Sequence, residues 1–63
     1  MTRLQLASQM MLMAAVEFDR LQLSDIVEMF PDYNEETWTD AYTISRIALK
    51  YADALIKAEG ESK

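Results

Sequence analysis

Cysteine and histidine are both missing from these 63 residues, and glycine and proline occur once each. Without cysteine there is no disulfide, no thiolate nucleophile and no thiolate metal site, and nothing marks the redox compartment. Without histidine there is no imidazole to carry protons near neutral pH. Ser8, Ser24 and Ser45 have no evident base to activate them, and so short a chain does not wall in a substrate cleft as a monomer. The sequence reads as a non-enzyme with no cofactor.

Other absences narrow the field further. No run approaches the roughly 18 apolar residues of a membrane span. Met10 to Val16 follows Arg3 as a signal-peptide core would, but Gln5, Ser8 and Gln9 interrupt the approach and the segment is needed for the fold. There is no useful strand alternation, internal repeat or low-complexity segment. Asp32, Asn34 and Glu36 imitate the first three ligands of a calcium loop. The required glycine at the sixth position is Thr37, however, and the bidentate glutamate at the twelfth is Thr43, so no metal is expected.

What remains is 51% hydrophobic, too apolar for a disordered chain. The expected architecture is all-α, with three helices (long, short, long) in one domain over residues 1–59 and a polar tail at 60–63. Thr2 and Gln5 have the spacing of a capping box and open a first helix at 3–19. Its inward stripe is Leu4, Ala7, Met11, Ala14, Ala15, Phe18 and Leu21. Ser24 caps a short helix at 25–30, with Ile26, Val27 and Phe30 inward, and Pro31 ends it.

The last helix is expected at 35–59. Asn34 is its cap, Tyr33 and Trp38 form a hydrophobic staple, and Gly60 is the residue that stops it. One seam runs Trp38, Ala41, Ser45, Ala48, Ala52 and Leu55, and a second row runs Ile44, Ile47, Tyr51, Ala54 and Ala58. Together they span an apolar arc of roughly 220°, more than a single neighbour covers. A chain of this length buries only about 60% of its unfolded surface and is marginal alone. The seam, with small residues at its middle, therefore predicts an antiparallel helical-bundle homodimer centred on Ala48.

The first helix also carries apolar residues away from its stripe. Leu6, Leu12, Met13 and Val16 form a candidate face for a protein partner. Charge supplies another candidate: residues 17–40 hold eight acids and one base, within a chain of net charge −5. Glu28, Asp32, Glu35, Glu36 and Asp40 make an acidic pole suited to a basic partner surface. The expected function is that of an acidic regulatory adaptor or inhibitor acting by protein–protein interaction, for example by occupying a basic nucleic-acid-binding surface on its target. Such a composition suits a cytoplasmic accessory protein of the phage or plasmid kind. A purely structural homodimer is the alternative.

The order Ser24 to Phe30, then Pro31, Asp32 and Tyr33, then Asn34 onward resembles the helix-turn-helix of DNA-binding proteins over less than half of the chain. That resemblance implies a DNA-binding or transcription accessory role, with Arg46, Lys50 and Lys57 as the contacts. The turn lacks the usual glycine. Glu35, Glu36 and Asp40 would also face phosphates whose recognition rests on bases, so direct nucleic-acid binding is not expected.

Overall fold

The computed structural model describes residues 2–61. Four helices, α1 (Arg3–Gln9), α2 (Met11–Arg20), α3 (Leu23–Met29) and α4 (Asp40–Glu61), make up the fold, with no strand among the described residues. The all-α expectation holds, but the first helix is divided in two. Thr2 opens α1 as a capping box: its hydroxyl accepts from the Gln5 N–H, and the Gln5 side chain accepts from the Thr2 N–H.

The division falls at Met10. The Ser8 hydroxyl donates to the Gln5 carbonyl at 2.9 Å, a back-bond of the kind that Thr43 and Ser45 also make in the unbroken α4, so it accompanies the break and does not suffice for it. One step on, the Met10 N–H reaches only three residues back, to Ala7. Such a bond tightens the backbone into a 3₁₀-type turn before α2 begins. The inward row of α1 is consequently Leu6, Ala7 and Met10, and Leu4, expected inside, is 73% exposed. On α2 the expected stripe is retained, with Ala14 buried and Met11, Phe18 and Leu21 packed against the core.

At the start of α3 the cap lies two residues earlier than Ser24. Gln22 holds that place, and its N–H donates to the Asp25 carboxylate at 3.0 Å. Val27, expected inside, is 49% exposed, while Ile26 and Phe30 are buried. The helix ends before Pro31 as expected, with Phe30 in the extended conformation that a following proline favours.

α4 begins at Asp40, several residues later than its expected start. The Asn34 side chain does accept a backbone N–H, but from Glu36, and the Asn34 carbonyl closes one isolated turn with Thr37 and Trp38. Thr37, Trp38 and Thr39 are all poor helix formers and do not carry that turn onward. Thr39 then caps α4, its hydroxyl accepting from the Tyr42 N–H at 3.1 Å. Thr39→Ala should therefore cost about 1 kcal/mol in a urea melt and Asn34→Ala clearly less. The reverse ranking would return the helix start to Asn34. At the other end Gly60 does not stop α4: the helix runs on to Glu61, and no glycine has positive φ. Of the expected polar tail at 60–63, residues 62–63 lie outside the described part.

α1 and α2 both pack on α4. The buried core is Ala7, Ala14, Ile26, Phe30, Ile47, Ala48 and Ala52, so four of its seven side chains are alanine. Small side chains let helix backbones approach closely, and little apolar volume is then needed to fill the space between them. Thr43 is also buried; its hydroxyl donates to the Thr39 carbonyl at 3.0 Å. Beyond Asp53, Ala54 through Gly60 are all exposed, so the last turns of α4 extend past the packed part of the domain.

Candidate functional site

The two halves of the sequence-derived interaction surface fare differently. Ala48 and Ala52, the middle of the proposed seam, have no exposed surface because α1 and α2 of the same chain occupy that side of α4. Trp38 is held in an aromatic cluster, and Ser45 is half-buried, with its hydroxyl bonded to the Ala41 carbonyl at 2.8 Å. Only Ala41 and Leu55 of the seam stay exposed. An antiparallel pair centred on Ala48 is incompatible with this packing, since the close-approach surface is already spent within the chain.

The apolar face of the first long segment is largely free. Leu6 packs against the core and drops out of it, but Leu12, Met13 and Val16 are 80%, 61% and 49% exposed. They stand three and four residues apart on α2 and therefore form one strip. α3 carries a shorter one, Leu23 and Val27, also exposed and one turn apart. The acidic residues Glu28, Asp32, Glu35, Glu36 and Asp40 are all exposed. Among them Asp32 accepts from Arg46 Nη1 at 3.4 Å. No group of three or more acidic residues among those described is placed to hold a metal.

The expected contact of Tyr33 with Trp38 is present where the connection from α3 to α4 folds back, and it belongs to a larger feature that sequence reasoning missed. Phe30, Tyr33, Trp38 and Tyr42 form a chain of ring contacts: Trp38 meets Phe30 at 5.8 Å, Tyr33 at 5.2 Å and Tyr42 at 4.7 Å between centroids. The Arg46 guanidinium sits among three of these rings, 4.9 Å from Trp38, 5.3 Å from Phe30 and 5.9 Å from Tyr42. It also donates to the Tyr42 hydroxyl at 3.1 Å. That hydrogen bond is the largest cause holding Arg46 protonated above its ordinary range. Tyr42 and Arg46 are four residues apart, a spacing that could have signalled the pair; the closure of Phe30 over both could not be read from spacing.

Next to this cluster is an open cleft of about 220 Å³. Its apolar surface comes from Met29, Phe30 and Leu49, and its charged surface from Arg3, Arg46, Lys50 and Asp53. Lys50 Nζ stands 5.5 Å from the Phe30 ring centroid. Arg3 makes a two-pronged ion pair with Asp53, its Nη2 reaching Oδ2 at 3.0 Å, across 50 positions of sequence. The hydrogen bond from Arg3 lowers the Asp53 pKa, so what stability the pair supplies is present above the ordinary carboxylate range and is lost as pH falls through the lowered value. Both partners are solvent-exposed, which keeps that contribution small.

The connection between α3 and α4, residues 30–39, is longer than the three- or four-residue turn of a helix-turn-helix. Arg46, the first base that such a motif would offer to DNA, is engaged by the aromatic cluster. No family model, curated protein or solved structure matches the chain. No helix among the described residues is long and apolar enough to cross a membrane.

Proposed function

We infer that this protein acts by docking on another protein through the exposed strip of α2, as an acidic adaptor or inhibitor in the cytoplasm. The observation that carries the reading is Leu12, Met13 and Val16 standing in solvent on a helix whose opposite side is already packed on α4. The whole chain exposes 4782 Å², against about 4,200 Å² expected of a 7.3 kDa monomer, and the strip shares that surplus with the unpacked end of α4. Methionine in the strip adapts to irregular surfaces. The exposed acids from Glu28 to Asp40 favour a target with basic residues and give the encounter a salt dependence.

The same surplus suits a second copy of the chain as the occupant, in a homodimer that uses α2 and not the α4 seam. One experiment addresses both readings. A photo-cross-linking residue at Met13 should capture a partner in cells, with one at Asp53 as control, while sedimentation gives the mass of the purified protein. Val16→Glu should keep the wild-type helical signal and abolish the cross-link. Adducts of one defined mass support docking, and twice the chain mass makes that partner a second copy. Equal labelling from both positions, or an undiminished adduct in Val16→Glu, would remove α2 as the docking face.

A further inference from the structure

The cleft beside Phe30 reverses the charge of the molecule. Three of the six bases in the chain line it, Arg3, Arg46 and Lys50, but only one of the eleven acids, Asp53. Asp53 is held by Arg3. Arg46 is ordered by its rings and the Tyr42 hydroxyl, and its charge is partly offset by Asp32, which meets its Nη1 at 3.4 Å without lining the cleft. No acid among the described residues pairs with Lys50, which lies over the Phe30 ring, exposed. Local positive charge therefore remains in excess on a chain whose net charge is −5. The surface below it is apolar.

We propose that this cleft is a binding site for a small monocarboxylate carried on an apolar chain, the carboxylate meeting Lys50 and Arg46 and the chain lying on Phe30, Met29 and Leu49. Anion and apolar body are both required. Cations alone would take any anion, but water competes well for a small carboxylate at an open surface, and contact with the apolar floor adds burial that a bare anion lacks. The volume sets the size: about 220 Å³ is below the roughly 300–1,000 Å³ of sites for drug-sized ligands, and suits an acid of about six carbons. So few atoms in an open site imply affinity on the order of millimolar.

The probes are hexanoate, acetate and hexanol, titrated at neutral pH and low salt while backbone amide shifts are followed by NMR. Hexanoate should give saturable shifts at Leu49, Lys50 and Asp53, and acetate and hexanol should each bind at least about fivefold more weakly, one lacking the chain and the other the charge. Lys50→Met keeps an apolar stem over Phe30 and removes the charge at an exposed position, so its fold should be unchanged by circular dichroism. It should weaken hexanoate about tenfold and leave hexanol as it was. Shifts that stay linear with hexanoate to about 50 mM, hexanol binding equal to hexanoate, or undiminished hexanoate binding by Lys50→Met would each overturn the site.

Discussion

Ala48→Glu is expected to unfold the chain at 25 °C, removing most of the far-UV helical signal. Ala48 has no exposed surface and faces α1 and α2, so a longer side chain meets packed atoms and its carboxylate meets no water. Overpacking alone costs about 1–3 kcal/mol. An unpaired buried carboxylate adds several more, even when it escapes ionisation by taking up a proton. Against this stands the whole stability of the domain, about 3–9 kcal/mol at the usual contribution per residue. Since the core is more than half alanine, the lower part of that range applies. If Ala48 instead formed the axis of a homodimer, the variant would be a folded monomer. Circular dichroism with sedimentation separates the two outcomes: a helical, cooperatively melting Ala48→Glu chain would mean that α1 and α2 do not cover α4 as described.

This contrast marks where the sequence was informative. Helix content, the cap at Thr2, the break before Pro31 and the exposure of Leu12, Met13 and Val16 all follow from local chemistry, and local chemistry can be read along a chain. The surplus apolar arc of α4 was real too. Its occupant was misread, because periodicity tells how wide an apolar face is and not whether the covering helix belongs to the same chain. The break at Met10 supplies the missing step, since with it α1 and α2 both lie against α4. The start of α4 failed for a different reason. Asn34 and Thr39 are both competent caps, and Thr37, Trp38 and Thr39 form helix too poorly to carry the Asn34 turn onward, so the second cap prevails. The cleft was illegible because Arg3 and Asp53 are brought together only by the fold.

Phe30→Ala is expected to be the most damaging truncation in the connection, costing about 3–5 kcal/mol. The ring is 6% exposed, and with Ile26 and Met29 it fastens α3 to the rest of the domain. Removing it opens a cavity under Trp38 and takes away the face that Arg46 and Lys50 both overlie. Phe30→Leu separates the two effects. Leucine restores most of the apolar volume but offers no π face, so its cost should be limited to imperfect packing plus the lost ring and cation contacts, about 1–2 kcal/mol. Urea melts should rank wild type above Phe30→Leu, with Phe30→Ala showing little or no folded baseline, and the near-UV circular dichroism of Trp38 should be weakened in both variants. Should Phe30→Ala melt within about 1 kcal/mol of wild type, the ring would not be what fastens α3 and the connection to α4. If the Leu variant matched wild type, burial alone would hold them and the cation contacts would contribute nothing measurable.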